Sequence, residues 1–312
     1  MSKDQTLQEI PLLPKEITDA ALDGNLIFFV GSGVSIMLDL PSWAGMAQQA
    51  LKDFTSDGII NYSEFEQLKS LDPKKLLSIV KFIADDRKIP LDLSKNLKEK
   101  LEDESIYKTL NDIGCTCVTT NYDLLLDPRY QVQKNEEPSS IAPKKSVRFY
   151  NKADFKPRYL TEPGNVIHLH GSIEDVDNMI VSTKEYLEHY DDPQVQVFLK
   201  ELFDKYVVLF LGYGLEEAEI LEHILRRGSA HKKNSGRRLF VLQGYFKNQA
   251  SLHKYMHLYY DKSFGVNLIG FIRDFRDYYQ QEDIIKDWAS KLNIRKPELT
   301  DDLDFMDEVL GQ

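Results

Sequence analysis

The sequence has almost no cysteine, with two in 312 residues, Cys115 and Cys117. They flank Thr116 in an apolar stretch. On a strand they share a face, where a mutual disulfide would be strained. Two reduced, buried thiols in a cytosolic protein are therefore expected, and a four-cysteine zinc module is excluded. Positive charge is also short: 39 Lys and Arg stand against 50 Asp and Glu, a net charge of −11. Such a chain is not expected to carry a broad nucleic-acid-binding surface. Long apolar runs are missing too. Runs such as VVLFL (207–211) fall far short of the ~20 residues of a membrane helix. The N-terminal MSKDQTLQEIPLLPKE holds no apolar core of signal-peptide length. A cytoplasmic protein with no membrane partner is the expectation.

What is present is an alternation of short apolar runs and amphipathic stretches. Six runs read as strands: 26–30, 115–120, 166–170, 207–211, 238–243 and 266–271. Most are continuously apolar, which suits strands buried on both faces of a parallel sheet. Helical patterns at 14–24, 195–206, 216–227 and 282–292 separate or follow them. The fold class expected is α/β, a Rossmann-like doubly wound parallel sheet. The core is assigned to 14–42, 111–126 and 165–292, within a single domain. Residues 43–110 read as a helical insertion, 127–164 as a loop or lid insertion, and 297–312 as an acidic tail.

The strands end distinctively. The first runs into Gly31-Ser32-Gly33, the second into Asn121-Tyr122-Asp123, the third into His170-Gly171-Ser172 and the fourth into Gly212-Tyr213-Gly214. In a parallel sheet all four loops emerge at the carboxyl edge, where open α/β sheets bind ligands. Glycines, an amide, a carboxylate and an imidazole thus converge on one pocket. Each loop alone has a plainer explanation. GSGVS (31–35) lacks the third glycine of the dinucleotide fingerprint and the lysine of a P-loop. Asp53 stands 20 residues after Gly33, as a ribose-binding acid would, but in a helical stretch with no strand to deliver it. Asn121 and Asp123 alone suit a turn and a helix cap, and His170 alone suits a structural role.

Taken together, FFVGSGVS (28–35), TTNYD (119–123), HLHGSI (168–173) and FLGYG (210–214) resemble the sirtuin family. The likeness is greater to its prokaryotic branch linked to antiphage defence, which VSTKEYLEHY (181–190) also resembles. The resemblance implies that NAD is bound as substrate. Gly31, Ser32 and Gly33 would cradle the diphosphate through backbone N–H groups, with Ser32 and Ser35 as candidate hydroxyl donors. Asn121 would bind the nicotinamide ribose and position the attacking group, and Asp123 would hold the carboxamide. His170 would meet the ribose hydroxyls as base or orienting group. Gly212, Tyr213 and Gly214 would face the adenosine half, and the strand near Ile269 to Phe271 would line the adenine site. Protein-deacylating sirtuins carry a four-cysteine zinc module and a Pro-Asp-Phe-Arg loop. Here LPSW (40–43) takes that loop's place, and the DFR at 274–276 follows the last strand.

The nicotinamide–ribose bond is already activated, because the ring nitrogen is cationic and nicotinamide leaves neutral. An amide, an acid and an imidazole can hold the ribose, steady the departing end and admit water without a metal. The expected activity is therefore NAD glycohydrolysis to nicotinamide and ADP-ribose, used to deplete NAD on phage infection. A protein deacylase or ADP-ribosyltransferase is the first alternative. A non-catalytic NAD- or ADP-ribose-binding module is the second. Related defence proteins imply restraint by homo-oligomer assembly or by a partner such as a translocase-type ATPase. His253 and His257 sit four apart without an evident third ligand, so a helix face is expected rather than a metal site. His168 would share a strand face with His170. The basic run 226–238 reads as a solvated loop.

Overall fold

The computed structural model describes residues 7–97, 105–127, 148–149, 155–227 and 238–292. The acidic tail, most of 127–164 and most of the basic run at 226–238 lie outside the described residues.

Seven strands form one sheet: β1 (Leu26–Val30), β2 (Thr116–Thr119), β3 (Arg148–Phe149), β4 (Val166–His168), β5 (Val207–Leu211), β6 (Leu239–Tyr245) and β7 (Val266–Ile272). Their order is β3-β4-β2-β1-β5-β6-β7, and every pairing is parallel. Without the two-residue β3 this is the strand order of the dinucleotide-binding fold, with β1 at the switch point. β3 escaped the sequence reading because two residues show no period.

Alternation along each strand explains the continuous apolar runs. Phe28, Val30, Leu209, Leu211 and Phe240 enter one core. Ile27, Phe29, Val208, Phe210 and Val241 enter the other. Helices close both faces, so most strand positions face an apolar layer. Between β1 and β2 run α1's successors: after α1 (Lys15–Leu22) come α2 (Ser32–Ile36), α3 (Trp43–Ser56), α4 (Tyr62–Leu68), α5 (Pro73–Arg87) and α6 (Ile106–Ile113). Then follow α7 (Thr183–Tyr190), α8 (Pro193–Lys205), α9 (Ala218–Arg227), α10 (Ala250–Phe264) and α11 (Gln280–Leu292).

Local chemistry fixes the elements that reach the site. Ser42 caps α3 by accepting from the Gly45 N–H, which starts the helix at Trp43. Ser182 and Glu185 form a capping box at α7. That start puts Tyr186 and Tyr190 one turn apart on the same helix face. The β1 and β5 loops interlock through glycine. The Gly31 and Gly33 N–H groups donate to Leu211 O and Gly212 O, both at 2.9 Å. A Cβ on Gly33 would lie 2.7 Å from Gly212 O, and Gly212 itself has φ +57° with Val34 N against its missing side chain. Only glycine meets both demands.

Candidate functional site

The β2 loop is tied to the β1 loop by a closed set of hydrogen bonds. Thr119 Oγ1 donates to Val30 O at 2.8 Å and accepts from the Asn121 N–H at 3.0 Å. Asn121 Nδ2 donates to Ser35 Oγ at 2.9 Å and to Gly31 O at 3.1 Å. Ser35 Oγ donates to Asp123 Oδ2 at 2.8 Å. Its one proton is thereby committed, so the Tyr107 hydroxyl, 2.7 Å away, donates to it. Asp123 Oδ1 accepts from the Leu125 N–H at 3.1 Å. Burial raises the Asp123 pKa, and the Ser35 and backbone hydrogen bonds oppose that rise. All five side chains, Ser35, Tyr107, Thr119, Asn121 and Asp123, are buried. Within this set Asn121 Oδ1 has no hydrogen-bond partner.

His170 is not part of this set. β4 ends at His168 and the chain turns, with Gly171 at φ +85°. The two histidines therefore do not share a strand face as a longer strand would require. His168 Nδ1 donates to Asn121 O at 2.9 Å, whereas His170 enters an aromatic nest. Its Nε2 is 2.7 Å from the Tyr190 hydroxyl and its Nδ1 is 3.2 Å from that of Tyr186. Trp43 packs against Tyr122, Tyr186 and the His170 ring. Burial holds the His170 pKa well below 6.5, with His189 and Lys74 adding to the effect. A neutral imidazole donates from one nitrogen and accepts at the other, so the two tyrosines divide those roles.

Glu217 completes this nest. Its Oε2 is 3.7 Å from His170 Nε2, is enclosed and has no hydrogen-bond partner. Burial pushes its pKa up to about 7. Lys74 opposes the rise, Glu219 reinforces it, and the nearby Tyr213 and Tyr190 hydroxyls oppose it more weakly.

Two cavities share Ser32 in their walls. The larger, about 600 Å³, is lined by Ser32, Gly33, Gly212, Tyr213 and Gly214, and by the ends of β6 and β7. The smaller, about 20 Å³, is a slot walled by Ser32, Ser35, Trp43, Asn121 and Asp123. Gly31, Ser32, Gly33, Ser35, Asn121, Asp123 and the Gly212–Gly214 loop are thus brought to one edge. His170 is set behind Trp43 and the α7 tyrosines.

Three details differ from the sequence reading. The Gly31, Gly33 and Val34 N–H groups are spent on Leu211 O, Gly212 O and Gly31 O, so the glycines serve loop packing before any phosphate. The Ser35 hydroxyl is committed to Asp123, which makes it a positioning group. The Tyr213 ring packs on Phe29 and Phe210, at centroid distances of 4.9 and 5.7 Å, so its aromatic bulk belongs to the core under the cavity.

Sequence reasoning missed Tyr107, Tyr186, Tyr190 and Glu217. The four-residue spacing of the two tyrosines after a Ser-x-x-Glu start was a usable signal; Glu217 in LEEAE offered none. The DFR segment has local work: Asp274 accepts from the Lys247 N–H and Arg276 pairs with Asp283. His253 and His257 lie on α10 with ring centroids 6.4 Å apart. Among the described residues no group of three or more His, Cys, Asp or Glu side chains could hold a metal ion. Among the same residues no helix is long and apolar enough to cross a membrane.

Residues 116–264 match a family model described as a SIR2-like domain. The chain is 27% identical over 217 residues to defense-associated sirtuin 2 of Bacillus subtilis, covering 66% of this chain and 19% of that protein. It is 23% identical over 223 residues to the NAD(+) hydrolase ThsA of Enterococcus faecium, covering 69% of this chain and 42% of that protein. The chain thus spans less than half the length of either relative. The matched domain, the two relatives and the parallel sheet with its motif-bearing loops make this chain similar to prokaryotic sirtuin-like proteins, a defence-associated sirtuin and an NAD(+) hydrolase among them.

Proposed function

We propose that the chain binds NAD in the larger cavity and hydrolyses its nicotinamide–ribose bond, releasing nicotinamide and ADP-ribose. The observation that carries this reading is the buried amide of Asn121. Both of its N–H bonds are consumed by Ser35 and Gly31, which leaves Oδ1 unpartnered on a residue that walls the slot beside the cavity. A fixed acceptor at that point suits a ribose hydroxyl or the attacking water. Asp123 lines the same slot and would accept from the carboxamide N–H bonds of nicotinamide. His170 would orient the ribose through the aromatic nest. It is neutral, so it can accept a proton from a hydroxyl only once one of its nitrogens leaves a tyrosine. The diphosphate falls at Ser32 and Gly33.

The names of the relatives support a role in antiphage defence by NAD depletion. Restraint by self-assembly, or by a partner such as a translocase-type ATPase, fits an activity that would harm its host. One observation favours a second reading, a non-catalytic NAD- or ADP-ribose-binding module: His170 is fully buried with both nitrogens engaged. The test is release of nicotinamide and ADP-ribose from NAD by the parent protein, Asn121→Ala and His170→Ala, with ligand binding measured on the same samples. Release that both substitutions abolish supports the hydrolase. Binding without release supports the module, and no binding overturns both.

A further inference from the structure

We propose that Gln281 reads the purine base of the bound dinucleotide, its amide pairing with the exocyclic amine and N7 of adenine. This rests on the NAD reading above. Gln281 is 3% exposed and lines the larger cavity, and its Nε2 has no hydrogen-bond partner. An enclosed amide nitrogen left unpaired is unfavourable, and a ligand atom in the cavity would relieve it. The neighbouring amide cannot take this part. Gln243 Nε2 donates to the Tyr260 hydroxyl at 3.2 Å, and its Oε1 accepts from the Tyr245 hydroxyl at 3.0 Å.

The wall around Gln281 suits a flat neutral ring. Tyr245, Phe271 and Tyr278 supply aromatic surface there, and among the described residues lining the cavity none is Lys or Arg. Asp277 is the charged group of that wall, so a phosphate is poorly received at this end and falls at Ser32 and Gly33. The position of the amide is fixed by its helix. Gln280 Nε2 donates to Glu9 O at 3.1 Å and Trp288 Nε1 donates to Pro11 O at 3.0 Å, which fastens α11 to the segment before α1. A glutamine amide matches the amine-and-N7 edge of adenine, donor to acceptor at both atoms. Hypoxanthine presents two acceptors on the same edge, so one of its atoms meets the amide carbonyl.

Calorimetric titration of the intact chain with ADP-ribose and with its hypoxanthine counterpart tests this, since neither carries the scissile nicotinamide bond. The parent protein should prefer ADP-ribose by about tenfold. Gln281→Met and Gln281→Leu should each lose that preference, bringing the two ligands within about twofold while ADP-ribose affinity falls about tenfold. Two apolar replacements are used so that poor folding of one does not decide the result. A parent ratio near one, or variants that keep the parent ratio, overturns the role of Gln281 and leaves the NAD reading standing. A parent protein that binds neither ligand overturns the NAD reading and the role of Gln281 with it.

Discussion

Replacing Glu217 with glutamine should change how stability depends on pH, by an amount the burial of the carboxyl sets. The ordinary glutamate value is 4.5, and burial beside His170, Tyr190 and Tyr213 raises it to about 7 against the pull of Lys74. The folded protein therefore holds this proton more tightly than the unfolded chain does. Stability from this group is full below pH 4.5, falls as pH rises towards 7 and is level above. At about 1.4 kcal/mol per pH unit the full loss would be about 3.5 kcal/mol. The side chain is 22% exposed, and water reduces the loss to about 2–3 kcal/mol.

Glutamine cannot ionise, so Glu217→Gln escapes this loss. Its stability relative to the parent should climb by about 2–3 kcal/mol between pH 5 and pH 8. For a chain of this length that is about 3–5 °C in Tm. Urea denaturation of both proteins at half-unit pH steps measures it. Any constant offset from the exchanged amide leaves the slope untouched. His170, Lys74 and Glu219 are present in both proteins, so their own contributions cancel in the difference to first order. A difference between the two proteins that stays within about 0.5 kcal/mol from pH 5 to pH 8 refutes the reasoning. It would mean that Glu217 is as well solvated in the folded chain as in the unfolded one.

The remaining expectations follow the same geometry. Gly212→Ala forces φ +57° on an alanine and drives its Cβ into Val34, which should cost about 3 kcal/mol by thermal denaturation. Gly24→Ala, at φ +68° with nothing within 4 Å, should cost only about 1 kcal/mol, and equal losses would refute the interlock. Tyr107→Phe removes the hydroxyl that donates to Ser35. It should cost about 1–2 kcal/mol of stability and lower any NAD turnover about tenfold or more, with substrate affinity nearly unchanged.

The parallel sheet was legible because its two faces are covered alike. Val207–Leu211 and Leu26–Val30 are apolar at every position, a pattern that a one-sided antiparallel sheet does not produce. The loop residues were legible for a similar reason: strand ends in a parallel sheet gather at one edge, so Asn121, Asp123 and Gly212 announce a shared place before any contact is known. What the loops do to one another was not legible. The N–H groups of Gly31 and Gly33 point at β5 because β1 and β5 are neighbours with Val30 opposite Leu211, a register no local pattern encodes. Tyr107 is 14 residues from Asn121 on the helix before β2, and nothing in its own helix distinguishes it from an ordinary core tyrosine. The shared face of His168 and His170 rested on one assumption, that β4 continues to residue 170. It stops at His168, and the His170 imidazole meets the tyrosines of α7 instead.

The unequal cavities bear on which half of NAD supplies the affinity. The larger cavity, proposed above for the adenosine half, offers about 600 Å³, whereas the slot at Asn121 and Asp123 offers about 20 Å³, room for about one water. Nicotinamide cannot enter that slot until Trp43 and its neighbours give way, and displacing a packed indole consumes binding energy. ADP-ribose needs no such displacement. It should therefore bind at least as tightly as NAD in Asn121→Ala, a background chosen so that NAD is not consumed during titration. Trp43→Ala in the same background should tighten NAD by opening the slot and leave ADP-ribose within about twofold, because the indole borders the slot and not the larger cavity. If NAD binds tenfold more tightly than ADP-ribose while Trp43 is intact, the slot is already open to nicotinamide in solution. The restraint would then lie elsewhere than in the packing of Trp43 against Tyr122 and Tyr186.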